Sequence, residues 1–512
     1  MKQSFILLFL VLAFFTSFAQ KEANIWYFGN RAGLDFSNDL PSALLNGEMV
    51  SEEGCAVISE KNTGELLFYT NGRNIWNREH TLFPNGRDFQ ENCSSYVTQS
   101  ALIVPVPNTA TQYYVFSITK SGGTIDNCLG YHFDTNYQCE IRYSLIDMNL
   151  DQGRGDVVMG SKNILLQTNA TEKLTATPHS NGKDYWLISH AWNSDAFHVY
   201  LLTAEGITLS NITTIGSTHE FKPTPNGVFF SDEIRGYLKL SPDGKKLACA
   251  VASLMDRPFD LFDFNPSTGL ISNYVNLGDL RYQYGVCFSP DNSKLYVTTD
   301  SPRNQAYKDV IRQYDLKAGD IEAIIASAQS IIRDNPLTNI TETYKDYYPV
   351  LSDPALQIGP DGKIYCAGSI YNNLIVISKP NLKGFSCEVN YQSIDFKESS
   401  IRFGLPNFID AYFNNLQPKD SLDTICNEQS IAIFPNPAND FIQITGEDQC
   451  SEIYSVMIIN SIGQTIRFNT RIANSQSDKI DIRDLPSGLY TIIIKFTSSH
   501  PIPKKFIKIN RS

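Results

Sequence analysis

One pattern recurs along most of the chain: a short apolar run, a tight polar turn, an aromatic-rich run, a gap and a third run. Clear copies begin at Gly54-Cys-Ala-Val-Ile-Ser59, Ser100-Ala-Leu-Ile-Val104, Leu174-Thr-Ala-Thr177, Gly236-Tyr-Leu-Lys-Leu240, Tyr284-Gly-Val-Cys-Phe288 and Ala355-Leu-Gln-Ile358. Each apolar run leads into a turn such as Ser241-Pro-Asp-Gly244 or Ser289-Pro-Asp-Asn292, and then into a strand such as Lys294-Leu-Tyr-Val297. Pro presets φ, and the Asn or Gly that follows supplies the positive φ of a tight hairpin. The flanking runs are therefore antiparallel neighbours. Apolar stretches with a 3.6-residue period are few; the best lie over 321–332 and around Leu145.

A small antiparallel sheet repeated at this spacing predicts a β-propeller. Two ends lack partners: Asn24-Ile-Trp-Tyr-Phe-Gly29 has no inner strand before it, and Ile401-Arg-Phe-Gly-Leu-Pro-Asn-Phe-Ile409 has no outer strands after it. Joined, they complete one blade and remove a free sheet edge. The expectation is an all-β chain: a seven-bladed β-propeller over 20–413, its last blade closed by 24–45 and 400–413, and then a small Ig-like β-sandwich. The Ser-Pro-Asp-Gly units resemble WD40-like propeller repeats. Their combination with the Asn-Ile-Trp-Tyr-Phe-Gly start and the Gly-Leu-Pro-Asn-Phe-Ile end resembles a group of secreted Bacteroidetes surface proteins, some of them gliding-motility-associated. That resemblance implies no activity.

Residues 414–430 are polar and aperiodic and read as a linker. Beyond them, 431–512 holds three ordered motifs: Phe434-Pro-Asn-Pro-Ala438, Ile459-Asn-Ser-Ile-Gly-Gln464 and Leu485-Pro-Ser-Gly-Leu-Tyr490, followed by the basic strand Lys504-Lys-Phe-Ile-Lys508. This order resembles the type A C-terminal sorting domain of the Bacteroidetes type IX secretion system. The resemblance implies that the type IX machinery engages 431–512 and exports the chain through the periplasm to the outer-membrane surface or the medium. It also implies removal of the domain, often with attachment to lipopolysaccharide.

Residues 1–19 have the layout of a secretory signal peptide: Lys2, an apolar core from Phe5 to Phe15, and small Ser17 and Ala19 before a cut between Ala19 and Gln20. That core is shorter than the roughly 20 residues that span a bilayer. Ten cysteines form no CxxC pair, which disfavours zinc and redox motifs. Cys128 and Cys139 bracket a loop and are a disulfide candidate for an oxidising compartment. Asp420-Ser421 and Asp423-Thr424 resemble Bacteroidetes O-glycosylation sites at Ser421 and Thr424. The net charge of −12 gives no electrostatic reason to bind nucleic acid.

Catalytic motifs are missing. There is no HExxH, no Gly-x-Ser-x-Gly and no Asp-x-Asp-x-Asp-Gly loop, so no metal and no cofactor is expected. His190 and His198 flank a predicted hairpin and so could face one another, with His179 or Asp195 as a third group; satisfied strand histidines are the simpler account. Two places suit binding. Asn71, Arg73, Trp76, Arg78 and His80 gather amide, guanidinium, indole and imidazole in one inter-strand segment. Glu53, Gln99, Lys173, Arg235, Gln283 and Gln357 stand at the starts of inner strands and would ring one mouth of the axial channel. Packing of Trp76 between blades and structural lining of the channel are the plain alternatives. The expected function is a secreted or cell-surface propeller that binds a glycan or protein ligand without catalysis. The alternatives are an extracellular polysaccharide hydrolase or lyase, which needs converging carboxylates, and a structural part of the surface or gliding apparatus. Propellers host all three.

Overall fold

The computed structural model describes residues 20–38, 40–88, 97–121, 138–220, 222–223, 229–230, 232–253, 255–299, 310–332, 354–367, 373–418, 431–446, 453–460, 465–470, 479–496 and 502–509. Two compact units divide the chain, Met1–Lys419 and Asp420–Ser512.

The first unit is a succession of antiparallel sheets. Ile25–Phe28, Ala32–Asp35 and Ser42–Leu44 make one, and Ala56–Ser59, Leu66–Thr70 and Ile75–Asn77 the next. Four-stranded sheets begin with Leu238–Leu240, Val286–Phe288 and Leu356–Ile358. Between these groups lies an eight-stranded sheet, where the repeat pattern predicts two separate blades. The cause is the 15-residue strand Ile164–Pro178. Its first half pairs with Gln138–Asp147 and its second half with Tyr185–Ala191, with register shifts between. Asn169 bends it there, at φ +55°. One strand thus serves as the outer strand of one blade and the inner strand of the next.

Inner strands follow one another around an axis: 56–59, 101–105, 174–178, 238–240, 286–288 and 356–358. Residues 400–409 close the circuit. Ala355 N–H donates to Phe403 O at 2.9 Å, Phe403 N–H to Glu52 O at 3.0 Å and Asn407 N–H to Cys55 O at 2.8 Å. The closing segment is not the regular strand that its sequence predicts. It makes single bridges, Asn30 to Ser400 and Cys55 to Pro406. Pro406 has no N–H to give a ladder, and a Cβ at Gly404 would overlap the Glu53 carbonyl. Asp410–Phe413 then turns into a 3-10 helix.

The repeat turns form as their sequence dictates. Gly244 sits at φ +69° and Asn292 at +61°. Ser241 Oγ donates to Asp243 Oδ1 at 2.6 Å and accepts from Lys246 N–H at 2.9 Å, which locks the hairpin. Of the two helix candidates, Ile321–Ala326 is helical, with Asp320 accepting from Ala323 N–H. Leu145 instead lies in the strand Gln138–Asp147, where pairing on both sides overrides its local pattern.

The second unit has two sheets. One orders Ile431–Phe434, Phe441–Gly446 and Lys479–Asp481. The other orders Thr465–Thr470, Ile453–Asn460, Gly488–Phe496 and Ile502–Lys508. Ile442, Ile444, Val456, Ile458, Ile492, Ile494 and Phe506 fill the space between them. Ala438 ties the last strand to the first sheet: its N–H donates to Ile507 O, and Ile509 N–H donates to its carbonyl, both at 2.8 Å. No helix among the described residues is long and apolar enough to cross a membrane.

Candidate functional site

Of the six residues predicted to ring the channel mouth, five are buried: Glu53, Gln99, Lys173, Gln283 and Gln357. Gln99 reaches across the axis. Its amide N–H donates to Leu174 O at 2.9 Å, and its carbonyl accepts from Leu238 N–H at 2.9 Å and Leu174 N–H at 3.1 Å. Lys173 Nζ donates to the carbonyls of Ile234 at 3.2 Å and Arg235 at 2.6 Å, which cap the 3-10 turn Asp232–Ile234. Burial pushes its ammonium down to about 8. Gln283 donates to Arg257 O at 2.6 Å. Arg235 alone keeps part of its side chain in solvent; it pairs with Glu53 at 2.8 Å and lies over the Tyr284 ring.

Deeper on the axis, Lys239 Nζ donates to Gln357 Oε1 at 2.9 Å and Asp410 Oδ1 at 3.3 Å. Asn407 donates to Ala101 O and Leu174 O, each at 3.3 Å. The channel is thus filled by side chains that bond to one another and to inner-strand backbone. Asn407, Asp410 and Lys239 were not foreseen. The signal for the first two is an Asn and an Asp inside the otherwise apolar run Gly404–Phe413.

The histidine geometry differs from expectation. His190 lies opposite Phe197 in the ladder, and His198 points toward Tyr200 instead. The ring of His190 stacks on His219, with centroids 3.8 Å apart and planes 22° apart. Both are fully buried. Burial, then the Lys173 charge, pushes His190 down to about 3; burial, then His190, holds His219 well below its usual range. Stacked rings direct their in-plane lone pairs past one another. Among the described residues no group of three or more His, Cys, Asp and Glu is placed to hold a metal.

The segment 71–80 divides. Asn71 is a turn residue: its Oδ1 accepts from Arg73 N–H at 3.0 Å and Asn74 N–H at 2.9 Å. Arg73 is exposed beside Asp88. Trp76 is buried and stacks on Tyr69, which stacks in turn on Tyr27. Arg78 and His80 are brought together. They line a cavity of about 330 Å³ with Tyr27, Asp35, Asn46 and Glu65 over an apolar floor of Ile25, Leu44 and Leu66. Asn46 Nδ2 donates to His80 Nε2 at 2.8 Å, and His80 Nδ1 faces Tyr69 OH at 3.2 Å. Tyr27 OH donates to Asn46 Oδ1 at 2.8 Å. Burial lowers the His80 pKa, so the neutral ring that accepts from Asn46 is favoured. Arg78 donates to Gly153 O at 3.0 Å and also borders a second cavity of about 340 Å³. Asp35, Asn46 and Glu65 lie outside the motif and come to it only through packing of the first two sheets.

Cys139 is buried, and its candidate partner Cys128 lies outside the described residues. So do Ser421, Thr424 and residues 1–19, including Ala19 at the expected cut.

Parts of the second unit's motifs fall on paired strands, Leu489 and Tyr490 in Gly488–Phe496 and Lys504, Lys505 and Lys508 in Ile502–Lys508, while residues 461–464 lie outside the described residues. Residues 432–509 match the secretion system C-terminal sorting domain. This sorting domain is the type IX export address, and the chain is delivered to the cell surface or released. A search of curated proteins finds no match. Among solved structures, a putative 6-phosphogluconolactonase from Bacteroides uniformis is 12% identical, with 82% of this chain and 97% of that one covered at a TM-score of 0.32. The periplasmic gluconolactonase PpgL from Pseudomonas aeruginosa is 12% identical, with 75% and 88% covered at 0.31. TolB from Acinetobacter baumannii is 12% identical, with 69% and 66% covered at 0.30.

Proposed function

We propose that the chain is an exported binding protein whose propeller, seven-bladed when the closing segment is counted with the first sheet, holds a glycan segment in the cleft lined by Arg78 and His80. The observation that carries this is the composition of that cleft. A guanidinium, an imidazole, an amide, two carboxylates and a tyrosine hydroxyl converge over an apolar floor. Such a set matches the alternating hydroxyl and C–H surface of a sugar, and few polar groups over apolar walls are typical of ligand pockets. The channel mouth supports the reading less well, because five of its six polar residues are buried.

Arg78→Ala removes a donor from the cleft and leaves the core untouched. On a glycan array probed with the native chain, retention of the bound glycan weakens about tenfold, equivalent to about 1.4 kcal/mol, while the unfolding midpoint stays unchanged. An array without any retained glycan, or one on which Arg78→Ala binds as well as the native chain, overturns the proposal.

A further inference from the structure

An antiparallel sheet with one face on a core normally turns polar side chains to water on the other. The larger sheet of the sorting unit departs from this at one end. Tyr490, Ile492 and Ile494 point into the core, so Leu489, Thr491 and Ile493 face outward by strand alternation. Leu489 is paired directly with Ile507, and the two remain 48% and 46% exposed. Ile493 is paired with both Met457 and Pro503. Ile509 follows just beyond the last strand at 43% exposure. Cross-strand neighbours on one face lie about 5 Å apart, so Leu489, Ile507 and Ile509 form one apolar patch, which the polar Thr491–Lys505 pair separates from Ile493, Met457 and Pro503. Exposed patches of this kind with polar rims mark interaction surfaces.

Charge indicates the occupant. From Ile431 to Ser512 there are nine basic and seven acidic residues, against a net charge of −12 for the whole chain. Exposed Lys505 stands beside the patch, paired with Thr491. We propose that the face built on Leu489, Ile507 and Ile509 docks on a component of the export machinery that presents an apolar surface rimmed by carboxylates. This rests on the sorting role of residues 432–509 and adds to it the surface used.

The test follows the full chain in a host with a type IX system, comparing the native form, a form lacking 431–512, Leu489→Glu combined with Ile507→Glu, and Lys505→Glu alone. The expected result is a surface fraction at least tenfold lower for the double variant and severalfold lower for Lys505→Glu, with periplasmic accumulation and an unchanged melting profile. Should the double variant not fold, Lys505→Glu, at an exposed position, decides alone. Native-level export of both variants while the truncated form is retained overturns the docking face and leaves the sorting role standing. Export of the truncated form overturns both. A loss of self-association on size exclusion, with export intact, assigns the face to a second copy of the chain and also overturns the proposal.

Discussion

Replacing Asp410 by alanine lowers the stability of the propeller unit by about 3–5 kcal/mol, the usual cost of stranding a buried charge. Asp410 and Lys239 are both within a few per cent of full burial and 3.3 Å apart. Burial raises the Asp410 pKa, and the Lys239 ammonium offsets only part of that. The pair is therefore a poor source of net stability, yet either member alone is worse. Without the carboxylate, Lys239 keeps Gln357 as its side-chain partner among the described residues. The double change Lys239→Met with Asp410→Asn removes both charges at similar volume and recovers most of the loss. Urea unfolding of the native chain, the single variant and the double variant measures the cycle. A single variant within 1 kcal/mol of native, on the scale set for exposed pairs, would contradict the structural role given to the closing segment.

Acid is the second large effect. His190 and His219 are neutral in the fold and held below the ordinary histidine value of 6.5, His190 at about 3. Their contribution is fully present above pH 6.5 and is lost as pH falls toward the folded values. Each costs up to about 1.4 kcal/mol per pH unit over that window. Asp260 acts in the opposite sense. Burial raises its carboxyl from 3.8 to about 6, so acidification between those values favours the folded state. Asp410 and Glu22, whose carboxyls burial also raises, add to the Asp260 side, while His80 and His198, lowered by burial, add to the histidine side. The change in slope between pH 6 and pH 4 on replacing His190 therefore isolates its part. His190→Phe, which keeps a ring to stack on His219, reduces the slope by about 1.4 kcal/mol per pH unit. Urea midpoints across that pH range measure it; an unchanged slope would show that His190 is not the group being protonated.

Local chemistry made much of the fold legible. Ser241-Pro-Asp-Gly244 and Ser289-Pro-Asp-Asn292 specify their own hairpins through a preset φ, a positive φ and a serine that locks the turn. Short apolar runs placed the strands on either side. The shared strand Ile164–Pro178 was not legible, because its two roles depend on which neighbour each half meets. The closing segment was legible as the end of the ring, but not as an irregular path, which follows from Pro406 and the crowding of Gly404 against Glu53.

The candidate site was legible in part. The mixture of residue types over 71–80 pointed to Arg78 and His80, yet the same list contained Trp76, whose ring is spent on Tyr69. Asp35 joins the cleft from another strand and Asn46 and Glu65 from loops, and none carries a local signal. Most of the polar residues at the inner-strand starts are buried. Their mutual satisfaction depends on contacts as distant in sequence as Gln99 with Asn407, which no window of sequence contains.

The central claim is a division of labour: residues 432–509 address the chain, and the propeller they carry acts outside the cell. Protease shaving of intact cells, followed by mass spectrometry of the released peptides, tests it most directly. The account predicts peptides from residues 20–418 at the surface of cells making the full chain, and their confinement to the periplasm when 431–512 is deleted. Equal surface recovery of propeller peptides from both forms would contradict it.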